Sequence, residues 1–368
     1  ILFLSFTSNL SFLILYSMYA SDSCQFGFSS YMSKYVNTRT TFSGPRLSHA
    51  LALIVTISPT VASIVGFSFC YDDDSGKFKA YYVPIGHFYL GVLDQISMDV
   101  AKKALIQLNK YKLVIQNFKY DYEIIKNNFN LELNLYADTM ILAWLLNPGS
   151  KIGLDFLSDK YFNHKMIPFK DLVKKGEDFS NVDITKACEY AAEDAYLTYK
   201  IYEKQLEEFK VNDCKYLVNI AKTVEYDFIN VLSSMQNIGI KVDVVFLENL
   251  KSKYVEILKN LSSEIYTLAG VEFNINSPKQ LGSILFETLN LPTQKKTKTG
   301  YSTNESVLQK LYDKHEIIPA LLKYRESFKL QSTYVTPLLE LGLKDEKNRI
   351  YTSFLQTGTA TGRLSSKN

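Results

Sequence analysis

Two short spacings in this chain bring together residue types that do chemistry. Asn117-Phe118-Lys119-Tyr120-Asp121 sets an amide and a carboxylate four positions apart, and Tyr190-Ala191-Ala192-Glu193-Asp194 does the same with a phenol and a carboxylate. On a helix, positions i and i+4 share a face, so the Tyr190 hydroxyl and the Asp194 carboxylate point into the same space. A phenol beside a carboxylate can orient a metal-bound water, and carboxylates from separate elements can hold divalent cations. Ala187, Ala191, Ala192 and Ala195 surround the second pair and let another element approach closely. Each spacing taken alone also fits an ordinary pair on a helix surface.

The elements that must position these residues follow from periodicity and turn chemistry. Val61–Tyr71 and Lys79–Ile85, joined by the Asp72-Asp73-Asp74-Ser75-Gly76 cluster, read as a hairpin. Val100, Ala104, Leu105 and Leu108 recur at helical spacing within Ser97–Lys110. Lys112–Gln116 reads as a short buried strand that delivers Asn117 at the sheet edge, with Asp121 one turn into the next helix. A helix over Asp138–Asn147 is closed by Pro148-Gly149, and Asp183 can cap a long helix running to about Phe209. Strands alternating with helices predict an α/β sheet domain over residues 61–210. Beyond it, residues 211–368 change texture, with helices expected at about 214–236, 244–268, 277–288, 303–313 and 316–341. Arg349–Phe354 returns to strand.

The chain has 368 residues, 46% of them apolar, which suffices for two or three cored domains and excludes a wholly disordered chain. Four cysteines without a C-x-x-C, beside four histidines, exclude a disulfide scaffold and a zinc ribbon. Lone thiols suit a reducing compartment, here taken as the cytoplasm. Charge is unevenly distributed: residues 72–240 hold 20 basic and 24 acidic side chains, and residues 241–368 hold 18 and 13. An acidic middle and a basic end suit a carboxylate site joined to a segment that holds a polyanion. Residues 1–60 stand apart, for the first 70 positions contain 14 serines and almost no charge. Ile1–Ala20 is apolar, but no basic residue precedes it and Ser5, Thr7, Ser8, Asn9 and Ser11 dilute it. It therefore predicts neither an export signal nor a membrane span, and no membrane partner is expected. The composition points instead to a mistranslated or disordered start, such as a reading-frame slip.

The order of the motifs is more specific than any one of them. A strand pair, N-x-x-x-D, Asp138-Thr139-Met140 opening a helix, and then Y-x-x-x-D resembles the proofreading 3′–5′ exonuclease domain of the bacterial DNA polymerase I family. The resemblance continues through Asn276-Ser-Pro-Lys-Gln-Leu281, Tyr324-Arg325-Glu326 and Lys329-Leu-Gln-Ser-Thr-Tyr334. It culminates in Thr359-Ala-Thr-Gly-Arg-Leu-Ser-Ser366, which looks like the motif at the start of the family A DNA polymerase palm.

That resemblance implies a ribonuclease H-like α/β exonuclease domain followed by a mostly helical thumb segment. It implies DNA as the partner, both a primer-template duplex and a frayed 3′ single strand, bound by a monomer. In such exonucleases four carboxylates hold two Mg²⁺ or Mn²⁺ ions about 4 Å apart. Asp121 and Asp194 match two of these catalytic metal ligands, and Tyr190 matches the catalytic tyrosine that positions the attacking water. Asn117, the loop lysines Lys295, Lys296 and Lys298, and Arg363 are the residues expected to touch DNA, with Arg363 at the primer terminus. The sequence departs from the pattern in two places. Ser48–Thr60, where the family carries D-x-E, has no acidic residue, so the metal site is expected to be incomplete. The chain also stops at Asn368, ahead of the family's palm aspartates and fingers helix. A catalytically inactive DNA-binding module is the alternative. A ribonuclease D-like RNA exonuclease fits less well because of the T-A-T-G-R-L-S-S string, and a membrane-tethered protein built on Ile1–Ala20 is the weakest reading.

Overall fold

A run of nine residues that the composition marks as foreign forms the middle of the principal sheet. A computed structural model describes residues 19–21, 50–58, 63–72, 78–293, 296–297 and 300–367. In it β1 (Tyr19–Ser21), β2 (Ala50–Ser58), β3 (Ser63–Asp72), β4 (Phe78–Pro84), β5 (Lys112–Ile115) and β6 (Leu135–Asp138) make one sheet in the order β1-β4-β3-β2-β5-β6. The pairs from β1 to β2 are antiparallel, whereas β2, β5 and β6 run parallel. β2 is thus the hinge between two kinds of pairing, with Ala52 opposite Cys70 on one side and Val114 on the other.

Alternation along β2 explains its place. Leu51, Leu53 and Val55 join Phe67, Phe69 and Tyr71 of β3 on one face. There they meet Ala101, Leu105 and Leu108 of α1 (Met98–Leu108) and Phe118, Tyr122 and Ile125 of α2 (Phe118–Phe129). On the other face the small side chains of Ala52, Cys70 and Ala80 meet Ala192, Ala195 and Tyr199 of a long helix. That helix is α6 (Ile184–Val211), preceded by α3 (Thr139–Leu146), α4 (Leu154–Phe162) and the single turn α5 (Phe169–Leu172). The alanines around Tyr190 and Asp194 therefore face the sheet.

By contacts among its parts the chain divides into two compact units, one reaching Gln236 and including Ser353–Lys367, the other Asn237–Thr352. The sheet unit thus takes in residues 50–58, ahead of the boundary expected at 61. It also keeps α7 (Tyr216–Ile220), a π turn at Ala221–Glu225 and most of α8 (Tyr226–Ile238), beyond the boundary expected at 210.

The second unit is mostly helical. Asp243 caps α9 (Val244–Ala269) by accepting from Phe246 N at 2.9 Å, and Gly270 ends it at φ 71°. α10 (Pro278–Ser283) runs into a π turn at Ile284–Thr288, and α12 (Ile317–Lys329) joins α13 (Thr336–Lys344) through another at Leu330–Val335. α11 (Glu305–Lys310) lies between them. Leu258, Leu261 and Ile265 of α9 pack with Leu281, Leu285, Leu308, Ile318 and Leu321 in one core. Asn276 Nδ2 donates to the Tyr324 hydroxyl at 3.3 Å, and the Arg325 guanidinium holds the Thr303 carbonyl, so the N-S-P-K-Q-L and Y-R-E strings meet in space. Short pairs complete the fold: β7 (Ile240–Lys241) with β10 (Arg349–Ile350), β8 (Lys296–Thr297) with β9 (Gly300–Tyr301), and β11 (Ser353–Leu355) with β12 (Ser365–Lys367). Among the described residues, no helix is long and apolar enough to cross a membrane.

Leu53 is 0% exposed between the sheet and its covering helices. Leu53→Ala should lower stability by about 2–5 kcal/mol, measured by urea unfolding. A change within 0.5 kcal/mol, as at an exposed site, would remove β2 from the core.

Candidate functional site: carboxylates at the end of the parallel strands

β5 stops at Ile115, one residue short of the expected Gln116, and the chain must then turn into α2. Asn117 makes that turn in the left-handed region at φ 61°, a conformation its short polar side chain tolerates. Its side chain caps nothing. The first amides of α2 are instead satisfied by Asp138, whose carboxylate accepts from Asn117 N at 3.2 Å and Phe118 N at 2.8 Å. Asp138 is also the cap of α3, accepting from Met140 N at 2.8 Å and Ile141 N at 3.3 Å. One carboxylate, 1% exposed, thus serves two helix starts. Burial pushes its pKa up to about 6, and the four N–H donors hold it from rising further.

Asp121 sits in the first turn of α2, buried, and accepts from Val55 N on β2 at 3.4 Å. Burial raises its pKa well above the ordinary carboxylate range; the Val55 amide opposes this, while the charges of Asp138 and Asp194 add to it. Asp194 comes from α6 and hydrogen-bonds the Tyr190 hydroxyl one turn earlier. Burial, with the neighbouring charge of Glu193, lifts Asp194 to about 8 against that hydrogen bond. Burial and Asp194 raise the Tyr190 phenol in turn. Glu193 points elsewhere, holding His164 Nε2 at 2.7 Å and Ile167 N at 2.8 Å. The structure therefore joins Asp121, Asp194 and Tyr190 and adds Asp138 to them.

The Tyr190 ring is oriented by aromatic neighbours. Phe169 and Phe179 stack with centroids 6.0 Å apart, and Tyr190 lies 6.2 Å and 5.9 Å from them. The start of α6 is fixed by a buried latch. His87 Nδ1 donates to Val182 O at 2.9 Å, so its Nε2 accepts from the Tyr82 hydroxyl at 2.8 Å. Gln95 clamps the His87 backbone from both sides, and Phe88 N donates to Ser180 O at 2.8 Å. Sequence reasoning did not single out Asp138 as a site residue, nor His87, His164 or Glu193. A charged Glu193 inside an alanine-rich helix was the one visible signal.

Arg363 is exposed, on the turn of β11–β12. Lys295 and Lys298 lie outside the described residues, and Lys296 is placed by its backbone in β8. As metal donors, the carboxylates fall short. Asp138 is committed to four amides, and β2 offers Asp121 the backbone N–H of Val55 but carries no carboxylate. Among the described residues no group of three His, Cys, Asp or Glu could hold a metal ion. A hard divalent cation takes about six oxygens, and a pair of them shares several carboxylates. The described residues do not fit a metal pair.

Asp138→Ala should cost about 2 kcal/mol or more in urea unfolding, since it strips the acceptor from two helix starts, whereas Asp138→Asn should cost less. Burial lowers His87 from 6.5 to about 4, opposed by the Val182 carbonyl, so the ring is neutral in the fold. The unfolded chain binds that proton first; the stability from His87 is full above about pH 6.5 and is lost as pH falls toward 4. His87→Gln should therefore lower Tm at about pH 7.5, with the gap to the parent closing on acidification. A gap independent of pH would contradict the neutral latch.

A profile of the 3'-5' exonuclease family matches residues 83–210, and one of DNA polymerase family A matches residues 244–368. DNA polymerase I of Borreliella burgdorferi is 37% identical over 313 residues, covering 83% of this chain and 33% of the relative. DNA polymerase I of Treponema pallidum is 39% identical over 260 residues, covering 70% and 26%. The chain spans about a third of the length of the curated relatives it matches. Among solved structures, the POL domain of Pol1 from M. smegmatis, in complex with DNA primer-template and dNTP, superposes with a TM-score of 0.64. That match covers 87% of this chain and 51% of the other at 24% identity, a likeness of fold. Residues 83–210 thus belong with the 3'-5' exonuclease family, and residues 244–368, which follow them in the same chain, belong with DNA polymerase family A.

Proposed function

We propose that this chain is the exonuclease and thumb portion of a polymerase that copies DNA from a template and removes mispaired 3′ nucleotides. In the sequence as it stands, the removal step is lost and DNA holding remains. The observation that carries this reading is the meeting of Asp121, Asp194 and Tyr190 beside a β2 strand that brings no carboxylate. The sheet order, with an antiparallel trio β4-β3-β2 continued by parallel β5 and β6, supports a ribonuclease H-like unit. Asp121 and Asp194 would be two of the family's metal-holding carboxylates, and Tyr190 would orient the attacking water. With half the donors missing, several kcal/mol of transition-state stabilisation go with them, which is orders of magnitude in rate.

DNA would be held by phosphate contacts from Lys295, Lys296 and Lys298, with Asn117 near a frayed 3′ strand and Arg363 at the primer terminus. Among the described residues Cys70, Cys188 and Cys214 form no disulfide, which suits a reducing compartment, and we take the chain to work in the cytoplasm as a monomer.

The 368-residue chain should bind a recessed-end primer-template duplex with an affinity that falls steeply between about 50 and 200 mM salt. With magnesium or manganese it should shorten a mispaired primer no faster than its Asp194→Ala variant. Robust digestion that Asp194→Ala abolishes would show that two carboxylates suffice, and salt-independent binding would refute the phosphate contacts.

A further inference from the structure

The hairpin β11–β12 is too short to order itself. Its strands have three residues each and are joined by the turn bearing Thr359-Ala360-Thr361-Gly362-Arg363. A two-stranded ribbon of that size is marginal in water even at greater length. Yet the segment Ser353–Lys367 lies with the sheet unit, and four groups of that unit hold it.

The chain's single tryptophan, Trp144 at the end of α3, donates its indole N–H to Thr359 O at 2.9 Å. The edge of the same ring lies beneath Gly362, where an added Cβ would stand 3.9 Å from Cη2, and Gly149 receives Ala360 in a like way at 3.6 Å. At the strand end, the half-buried Lys119 ammonium donates to Phe354 O and to Gln236 Oε1 at 2.6 Å, and Gln236 Oε1 also accepts from Phe354 N at 2.8 Å. Gln356 Nε2 donates to Glu225 O at 2.9 Å. Within the turn, Thr359 Oγ1 donates to Arg363 O at 2.8 Å, which fixes the backbone of the arginine to the residue that Trp144 holds. Arg363 itself stays exposed, and the segment 353–367 contains no acidic residue.

We propose that Trp144 and Lys119 are positioning residues that moor this hairpin to the exonuclease-like helices and so pre-order the turn presenting Arg363 to the recessed 3′ end of a DNA duplex. This rests on the reading of Arg363 given under Proposed function. A turn ordered before DNA arrives does not charge its ordering entropy to binding. The exonuclease-like unit then keeps a task that needs no metal: it is the bed for a polymerase motif.

The test uses the full 368-residue chain and its Trp144→Leu, Lys119→Met and doubly substituted forms, with Trp144→Phe as a milder variant should leucine perturb folding. Amide exchange in residues 353–367 should accelerate roughly tenfold or more in the double variant, while the strands of the large sheet keep their protection. Lys119→Arg, which retains a donor, should restore much of it. Binding of a recessed-end duplex should weaken about tenfold on Arg363→Ala in the parent but no more than about twofold in the double variant, because coupled residues are non-additive. Unchanged exchange overturns the mooring. An equal effect of Arg363→Ala in both backgrounds overturns the positioning role. Accelerated exchange with no effect of Arg363→Ala in the parent instead overturns the assignment of Arg363 to DNA, so the two failures are told apart.

Discussion

The buried carboxylate of Asp138 satisfies the exposed amides at the starts of two helices at once, and much of the sheet unit is arranged around that bond set. One helix, α2, carries Asp121 toward β2 and Lys119 toward the hairpin. The other, α3, carries Trp144 and leads on to Gly149, and the turn of the hairpin rests on both. A carboxylate is suited to this because it offers about four acceptor directions and its charge complements the positive ends of both helices. The cost is desolvation, visible in a pKa pushed up to about 6. An asparagine would have only one accepting oxygen and would bring two donors of its own to be satisfied.

The neighbouring acids are in a different condition. Asp121 and Asp194 are buried near each other with one backbone amide and one phenol for support; burial raises Asp121 well above the ordinary carboxylate range and lifts Asp194 to about 8. Buried like charges disfavour joint ionisation unless cations or donors offset them. β2 supplies the packing side of its position in full, with Leu51, Leu53 and Val55 in the core, and supplies none of the anionic side. A complete core beside an incomplete donor set is what the proposed separation of holding DNA from cutting it rests on.

Most helices were legible because their signals are local. Asp183 marks the start of α6 by its side-chain bond to Thr185 N, and the apolar spacing carries the helix to Val211, close to the expected Phe209. Tyr190 and Asp194 could be paired from the helical repeat alone. β2 was legible in principle, for Ala-Leu-Ala-Leu-Ile-Val-Thr-Ile-Ser is a continuous apolar run of the kind buried parallel strands use. The uncharged, serine-rich residues ahead of it outweighed that signal. The double capping by Asp138 and the placement of Ser353–Lys367 with the sheet unit were not legible, because both depend on residues far apart in sequence meeting in space. The strand stops at Ile115 rather than at the expected Gln116 for a similar reason: the chain must turn at Asn117 so that the first amides of α2 reach Asp138.

The seam between α6 and the sheet is made of Ala52, Cys70 and Ala80 against Ala192 and Ala195. The alanines have no rotamers to adjust and Cys70 a single short torsion, so the seam behaves as a mechanical stop of nearly fixed thickness. Asp194 rides on the helix at that seam, and its distance from the strand ends is therefore gauged by methyl groups. Any larger residue there would shim the helix outward and carry the carboxylate with it, even though the substituted position touches no reacting group.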